Sequence, residues 1–378
     1  MSRRTITLFI PDLEIGGAER VFVTLSRQFL QLGHGVRLIL ARKTGPLLAE
    51  LDPRVEVIDL AAGPARPAWR FGLLTLLRLT RELRRSPPEV MLSTLTGANL
   101  VALLARLLSR RRFPLVVREA VTLRGGATGP RKLAMRLLYP QADHIVALTA
   151  PMAEQLQQSA RLAPQRLSII PNPVDHERIE NLSLHDDHRD EIVALQPYVL
   201  ATGRLVDQKG HAELIRAFTA VPSPLKCIIL GEGPGRSRLE ELVTRLGLAG
   251  RVLLPGVRHN PYPWYRNATG FVLASRWEGY PNALLEAMHF GLPIVATRYD
   301  TSVETLQNDY GPDRFRLVAC GDVPALAAAI SKTAQARSHA PQEHSCAKPE
   351  DALAPATRLA SLLHTIDPQA SASQKHER

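Results

Sequence analysis

The chain contains 378 residues, of which 45% are hydrophobic and 22% are charged, and its formal net charge is +11 at neutral pH. This composition excludes collagen-like, coiled-coil and wholly disordered proteins, and the length predicts two domains of roughly 150 residues each. No apolar run approaches the roughly 18 residues of a transmembrane helix. The three cysteines, Cys227, Cys320 and Cys346, lie far apart and fit neither a disulfide framework nor a metal site, which favours a reducing cytoplasmic compartment.

The excess positive charge is confined to the first half of the chain. Residues 1–175 carry 25 Lys and Arg against 13 Asp and Glu, whereas residues 176–378 carry 22 against 23. The first half therefore has a net charge of +12 and the second half has −1. This asymmetry predicts an anionic partner for the first half: nucleic acid, an anionic membrane surface or a phosphorylated ligand.

Short apolar runs alternate with longer amphipathic runs in the first half. The predicted strands are Thr5–Ile10, Val36–Ala41, Val55–Leu60, Val90–Ser93, Leu115–Arg118, His144–Thr149 and Leu167–Ile170. The clearest predicted helices are Ala18–Leu32, Phe71–Arg85 and Leu100–Ser109. Strands that alternate with helices predict βαβ units and a parallel sheet.

The same alternation of apolar and amphipathic runs returns in the second half after an interruption. Pro171-Asn172-Pro173 and a polar stretch follow the first domain, which we place at residues 1–175, and they predict a linker over 176–195. Further predicted strands are Tyr198–Thr202, Leu225–Leu230, Val252–Leu254, Phe271–Ala274 and Ile294–Ala296. The fold class is therefore α/β, with a second doubly wound domain over 196–332. Residues 333–378 are expected to be a poorly ordered segment with a short terminal helix at Ala356–Ile366.

Two glycine-containing loops follow predicted first strands of the two domains. Gly16-Gly17 lets the backbone approach a ligand and precedes a helix N-terminus, although a turn that merely closes the loop explains the pair equally well. In the second domain, Arg204 and Lys209 lie five residues apart in a glycine-flanked loop. Two such cations suit a diphosphate, the alternative being two solvated side chains.

A third motif carries two carboxylates. Glu278 follows the predicted strand Phe271–Ala274, and Glu286 lies on a helix expected to begin near Asn282. The two carboxylates are then expected to face the same edge of the sheet. The alternative is a surface loop followed by a helix with a solvated Glu.

Taken together, these motifs resemble the family 4 retaining nucleotide-sugar glycosyltransferases. The resemblance covers roughly Thr5 to Ile330, and its motifs in chain order are GGAER, IIPNPVD, GRLVDQKG, GEGP, RVLLPGV and SRWEGYPNALLEAMHFGLPIVAT. It implies the GT-B fold, in which two Rossmann-like doubly wound domains face a central cleft.

The resemblance also implies roles for individual residues. Arg204 and Lys209 would hold the diphosphate of the donor, Glu278 would bind the hydroxyls of the transferred sugar, and Glu286 would bind the ribose. Arg204, Lys209 and Glu278 are thus the expected catalytic residues. The other expected substrate-binding residues are Gly16, Gly17, Asn172, Gly231, Val257, Tyr280, Asn282 and Ala283. Among these, Asn172 would lie at the interdomain hinge, and Gly231 and Val257 would line the base pocket.

On the acceptor side, the family often has a His or Asp after a central strand of the first domain. Here the corresponding run offers Arg118 and Glu119, which we assign to the acceptor side. The family is metal-independent, which agrees with two fixed cations acting in place of Mg²⁺, so we expect no metal and no cofactor. The run His185–His188 contains metal-ligand residue types, but consecutive residues rarely converge on one ion and a solvated run is favoured.

The stretch Trp69–Arg85 is a basic amphipathic helix with an aromatic tip. Its apolar residues include Leu73, Leu76 and Leu77, and the flanking cations are Arg78, Arg81, Arg84 and Arg85. This pattern suits an anionic membrane interface, while the alternative is a core-facing helix with a solvated basic side.

These observations predict a cytoplasmic enzyme on the inner face of the membrane. It would move a hexose or N-acetylhexosamine from a nucleotide diphosphate sugar, most simply a UDP-sugar, to a lipid-linked glycan or polysaccharide, by front-face attack with retention. A nucleotide-sugar 2-epimerase of the same fold is the enzymatic alternative. A nucleic-acid-binding protein is the other alternative, but only 5% of the residues are aromatic and no recognition module is present, so we expect no nucleic-acid partner.

Overall fold

The structure is a computed structural model, and it describes residues 3–64, 67–120, 129–160, 162–185, 188–337 and 349–366. The chain divides into two compact units, one formed by Met1–Pro173 with Glu350–Arg378 and the other by Val174–Pro349. Each unit contains one parallel sheet with helices between the strands. The predicted α/β class with two doubly wound domains is confirmed.

The first domain contains a seven-stranded sheet. Its strands are β1 Thr5–Ile10, β2 Gly35–Leu40, β3 Glu56–Asp59, β4 Val90–Thr94, β5 Leu115–Arg118, β6 His144–Ala147 and β7 Leu167–Ile169. Its helices are α1 Gly17–Gln31, α2 Ala68–Arg85, α3 Thr96–Ser109, α4 Gly129–Leu138 and α5 Ala150–Ala160. The strand order is β3-β2-β1-β4-β5-β6-β7, and every pair is parallel. The order reverses between β1 and β4, which is where doubly wound folds bind their ligands.

The central strands of this sheet are buried. All five residues of β4 are buried, and so are five of the six residues of β1. Such strands read as nearly continuous apolar runs rather than as an alternation of apolar and polar residues, which is why the sequence predicts them. The edge strands β3 and β7 are only partly buried, and their short apolar runs are also predicted.

The second domain contains a six-stranded sheet. Its strands are β8 Tyr198–Thr202, β9 Lys226–Leu230, β10 Val252–Gly256, β11 Gly270–Leu273, β12 Ile294–Arg298 and β13 Phe315–Ala319. Its helices are α6 His176–Ser183, α7 Arg189–Leu195, α8 His211–Ala217, α9 Arg236–Arg245, α10 Tyr262–Asn267, α11 Asn282–His289, α12 Thr301–Tyr310 and α13 Val323–Arg337. The order is β10-β9-β8-β11-β12-β13, with the reversal between β8 and β11. Strand β13 pairs with β12 at the edge of the sheet and is missing from the sequence prediction.

The predicted linker 176–195 is folded instead as α6 and α7. Ile179 and Ile192 are buried in the same apolar cluster as Tyr198 and Trp264, so both helices belong to the second domain. The polar composition that suggested a linker comes from their solvent-facing residues. Asp186 and Asp187, from the run considered as a metal site, lie outside the described residues.

The segment beyond 332 also differs from the prediction where the structure describes it. Helix α13 continues to Arg337, and a further helix, α14, spans Pro349–Thr365 and is longer than the predicted terminal helix. On α14, Ala356, Leu359, Ala360 and Leu363 are buried in the apolar core of the first domain. Residues 338–348 and 367–378 lie outside the described residues.

None of the helices in the described part of the chain combines the length and the hydropathy that a bilayer crossing requires.

Candidate active site

The predicted site residues of the second domain gather at the carboxyl ends of β8 and β11. Arg204 and Lys209 lie in the loop that follows β8, and Glu278 lies in the loop that follows β11. These two strands are neighbours, and the strand order reverses between them. The two loops therefore meet at the point where doubly wound sheets bind their ligands.

A partly buried ion pair joins the two loops. Lys209 Nζ lies 2.6 Å from Glu278 Oε1, and the same carboxylate oxygen accepts a hydrogen bond of 2.6 Å from Ser275 Oγ. Glu278 is only 6% exposed. Because two donors hold its carboxylate in one orientation, Glu278 is presented in a fixed position for further hydroxyl donors.

Sequence reasoning missed the residues that fix this pair. Ser275, which is 1% exposed, directly follows β11, and its carbonyl oxygen accepts a hydrogen bond from Thr297 Oγ1 at the end of β12. The signal available in the sequence was position alone, since both residues stand at the carboxyl ends of predicted strands. Ser275 and Thr297 support the position of Glu278.

Glycines allow the loops around this pair to pack backbone against backbone. A Cβ atom at Gly231 would lie less than 3.0 Å from the carbonyl oxygen of Gly203, and one at Gly210 would come equally close to the carbonyl oxygen of Ala274. At Gly203, a Cβ atom would lie 3.1 Å from Lys209 Cε. The role of Gly231 in a base pocket stays a prediction, and the structure shows that Gly231 lets the loop after β9 approach the loop after β8.

Glu286 lies on α11 and interacts with a buried tyrosine. The carboxylate of Glu286 contacts the hydroxyl of Tyr265, which also lies 2.7 Å from Thr202 Oγ1. Burial, followed by the charge of Glu286, raises the pKa of Tyr265 well above its ordinary value. The tyrosine is therefore a neutral hydroxyl that holds Glu286 in place.

The predicted substrate-binding residues at the start of α11 differ in their hydrogen bonds and are partly buried. The amide of Asn282 donates to the carbonyl of Tyr280 over 3.1 Å, so this predicted anion-facing amide already has a partner. Ala283 is half-buried on the first turn of the helix. Tyr280 is half-buried too, and burial, followed by the charge of Asp309, raises its pKa to about 12.

Two predicted residues of the second domain lie at the surface. Arg204 is exposed and forms no ion pair with the residues that the structure describes. Val257 is exposed and follows β10. Both are accessible to a ligand from solvent.

The predicted glycine pair of the first domain lies at the start of α1. Gly16 is the N-cap residue, and Gly17 is the first residue of the helix. A Cβ atom at Gly16 would lie less than 3.0 Å from the carboxylate of Glu19. The backbone of Gly16 is thus covered by an acidic side chain, which an incoming anion would have to displace.

Arg118 and Glu119, predicted on the acceptor side, are both buried. The Arg118 guanidinium donates to Thr94 Oγ1 over 3.0 Å and to Asn172 Oδ1. Burial lowers the pKa of Arg118 to about 10, which leaves it charged at neutral pH. Asn172, predicted at the hinge, therefore anchors the end of β7 to the end of β5.

A hydroxyl network that the sequence did not predict surrounds Glu119. Thr96 Oγ1 donates to Glu119 Oε1 over 2.8 Å, and Tyr139 Oη donates to Glu119 Oε2 over 2.6 Å. Burial, followed by the charge of Glu119, raises the pKa of Tyr139 well above its ordinary value. The tyrosine consequently stays a hydrogen-bond donor, and both oxygens of Glu119 are satisfied.

The chain was compared with family models and curated proteins. Residues 15–178 match the model described as Glycosyltransferase Family 4, and residues 196–336 match the model described as Glycosyl transferases group 1. The N-acetylgalactosamine-N,N'-diacetylbacillosaminyl-diphospho-undecaprenol 4-alpha-N-acetylgalactosaminyltransferase of Campylobacter jejuni is 31% identical over 82% of this chain and 84% of its own length. The chain belongs to the family 4 glycosyltransferases. The predicted family and enzyme class are confirmed.

Solved structures of other proteins have a fold similar to that of this glycosyltransferase. Anabaena HepE in complex with UDP and glucose matches with a TM-score of 0.72 and 19% identity, covering 99% of this chain and 100% of HepE. WaaG, a glycosyltransferase involved in lipopolysaccharide biosynthesis, matches with a TM-score of 0.67 and 18% identity, covering 97% and 98%. These glycosyltransferases show that the fold class is GT-B.

The packing of the donor-site loops generates a prediction for Gly210. Gly210 has φ +63°, and a Cβ atom there would collide with the carbonyl oxygen of Ala274. Gly247 has a similar φ of +66° but has open space around it. Gly247→Ala therefore incurs only the left-handed strain of about 1–2 kcal/mol, while Gly210→Ala should cost about 1–3 kcal/mol more through the collision. Urea unfolding of the two variants measures the difference, and equal costs would show that the loop does not depend on this contact.

Proposed function

We propose that this glycosyltransferase moves a hexose or N-acetylhexosamine, with retention of configuration, from a UDP-sugar to a lipid-linked or polysaccharide glycan. The observation that carries the proposal is the Lys209–Glu278 pair at the reversal of the second sheet. It brings together a cation for a diphosphate and a carboxylate for sugar hydroxyls, which are the two groups joined by the bond that breaks in a nucleotide diphosphate sugar.

The nature of the donor is supported by Glu286 and by the structural relatives. A carboxylate accepts hydrogen bonds from two adjacent hydroxyls, which suits the ribose of a nucleotide. HepE has been solved with UDP and glucose, and UDP is the simplest choice for this enzyme.

The chemistry follows from the charges of the donor site. As the bond between the sugar C1 and the β-phosphate oxygen breaks, negative charge grows on the diphosphate, where Lys209 and Arg204 lie ready to stabilise it. The acceptor hydroxyl attacks C1 from the face that the phosphate leaves, and the departing phosphate oxygen takes its proton. One C–O bond forms as another breaks, so configuration is retained without a protein nucleophile. Lys209 and Arg204 would together supply the electrostatic stabilisation that a metal ion would otherwise provide.

Glu286→Ala is expected to weaken binding of UDP and UDP-sugar alike. The ribose contact does not change during transfer, so KM should rise by about 10- to 100-fold while kcat stays nearly constant, as a lost hydrogen bond to a charged group implies. Calorimetric titration with UDP measures the effect. Glu241→Ala, which removes an exposed carboxylate from α9, serves as the control, and equal UDP affinity in the two variants would contradict the assignment.

Lys209→Ala is expected to lower kcat by about 10²–10³-fold, because the lost cation stabilises charge that develops only in the transition state. The measurement is transfer of labelled sugar from a UDP-sugar to an undecaprenyl-diphosphate-linked glycan at saturating donor.

The same assay separates the alternatives. An epimerase would convert the UDP-sugar without acceptor, whereas the proposed transferase requires one. Turnover of Lys209→Ala near that of the wild type would remove Lys209 from the mechanism even if transfer itself is observed.

The acceptor is proposed from the relatives and from one surface of the first domain. The Campylobacter jejuni relative acts on a diphospho-undecaprenol carrier, by its name, and WaaG acts in lipopolysaccharide biosynthesis. A lipid carrier stays in the membrane, so an enzyme that uses it must reach the membrane surface. We place this contact along α2 of the first domain.

Helix α2 buries one side and leaves large apolar residues exposed on another. Leu79 and Leu83 are buried, whereas Trp69 is 72% exposed and Leu73 and Leu77 are 49% and 55% exposed. Exposed leucines also occur on the neighbouring helices of this domain: Leu107, Leu108, Leu133 and Leu137. Several large exposed apolar residues in one domain are typical of an interaction site, and the arginines on α2 favour an anionic bilayer as the partner.

The arginines of α2 divide into two groups. Arg78 donates to the carbonyl of Leu60 over 2.7 Å, and Arg84 donates to the carbonyl of Leu108 over 2.7 Å. Both are therefore also needed for local structure. Arg81 and Arg85 are exposed and are the better probes of membrane charge.

The triple variant Trp69→Ser, Leu73→Ser, Leu77→Ser is expected to lose sedimentation with anionic vesicles, by about 100-fold or more in partition coefficient, because each large apolar side chain contributes about 1.5–3 kcal/mol when fully buried. Arg81→Ser with Arg85→Ser should weaken binding in low salt and have little effect in high salt. Leu184→Ser with Val193→Ser, which removes exposed apolar residues from the second domain, is the control. Sedimentation of the triple variant like the control would mean that α2 is an ordinary surface helix.

A further inference from the structure

The second domain contains a pocket of about 340 Å³ away from the donor-site residues. It lies between α8 and α9 and is closed by the loops that follow β8 and β11. Lys209, Glu278 and Glu286 do not line it. Leu205, Val206 and Asp207 line the pocket, and Arg204 and Lys209 of the same loop belong to the proposed donor site.

Arginines dominate the polar lining of this pocket. Four of them contribute: Arg216, Arg238, Arg245 and Arg276. Asp207 pairs with Arg238, and Glu213 pairs with Arg276, so two of the four charges are compensated. Arg216 and Arg245 form no ion pair with any residue that the structure describes. The pocket thus carries two uncompensated positive charges.

A buried histidine adds uncharged hydrogen-bonding capacity. His211 lines the pocket, is 4% exposed, and interacts through its ring with the backbone of Arg204 and Gly203 in the donor-site loop. Burial, followed by the charge of Lys209, lowers the pKa of His211 to about 4. The ring is therefore neutral at physiological pH, with one N–H to donate and one nitrogen to accept. It connects the pocket wall to the loop that carries Arg204 and Lys209.

The pocket wall is fixed before any ligand arrives. The amide of Gly235 donates to the carbonyl of Leu205 over 2.9 Å, and a Cβ atom at Gly235 would lie 2.7 Å from that oxygen. This close contact leaves the loop little room to move towards α9. A preformed pocket avoids the ordering cost that weakens binding to mobile loops.

We propose that this pocket binds a small phosphorylated molecule, at a site separate from that of the sugar donor. Two uncompensated guanidinium groups match the charge of a phosphate, which arginine binds bidentately. The pocket is open to solvent on one side, its volume is at the lower end of the range for small-molecule pockets, and it suits a compact ligand rather than a polymer. The site adjoins the loop of Arg204 and Lys209, so its occupant is placed to influence donor binding.

Inorganic pyrophosphate is the probe for this site. In the Lys209→Ala background, which weakens the proposed donor site, calorimetric titration should still detect pyrophosphate binding. Adding Arg216→Ser and Arg245→Ser should weaken that binding by about tenfold or more, because each arginine contributes a charge-assisted hydrogen bond. The matched control is Arg314→Ser with Lys332→Ser, which removes two exposed cations of the same domain outside the pocket.

The outcomes are distinct. Loss of pyrophosphate binding in the pocket variant, with the control variant unaffected, supports the site. Equal affinity in both, or an equal loss in both, overturns it. UDP titration of the wild-type enzyme reports on the donor site separately, so a wild-type enzyme that fails to bind UDP would refute the proposed function and leave the pocket result standing.

Discussion

The second domain depends on the close approach of backbone to backbone at the carboxyl ends of its central strands. Gly231 lies so near the carbonyl of Gly203, and Gly210 so near that of Ala274, that neither position has room for a Cβ atom. These contacts hold the loop after β8 against the loops after β9 and β11. Only in that arrangement do Lys209 and Glu278 come within 2.6 Å of each other. The contact between these two charged side chains thus depends on the packing of uncharged glycines.

The first domain fixes the corresponding edge of its sheet by side-chain hydrogen bonds. Glu119 is fully buried, with Thr96 and Tyr139 as donors, and Arg118 joins Thr94 to Asn172. A buried charge is stable only when its partners satisfy it, so removing one member would leave another unpaired. The two domains therefore use different means at equivalent places: backbone contact in one, a saturated polar network in the other.

The sequence predicted the strands and the loops that carry the site, because buried parallel strands are continuous apolar runs and the loops follow them directly. It could not predict the contact of Lys209 with Glu278, since 69 residues separate them and only the pairing of β8 with β11 brings them together. Strand β13 lies at the edge of its sheet, and only Phe315 of its five residues is buried, so it lacks the clear signal of a central strand. Helices α6 and α7 were missed because each has few buried positions, such as Ile179 and Ile192, among polar residues.

Arginine has two uses in the first domain, and the net charge alone does not separate them. Arg106 donates to the carbonyls of Phe113 and Gln141 and pairs with Asp143, and Arg166 donates to the carbonyls of Pro140 and Ala142. These guanidinium groups join loops to strands, where five planar donors can satisfy several carbonyls at once. They contribute to the charge of +12 without forming part of a surface. The proposed attraction to an anionic membrane would depend on the exposed cations near α2. Screening by salt limits the range of each charge to about 8–10 Å, so distant cations would contribute little.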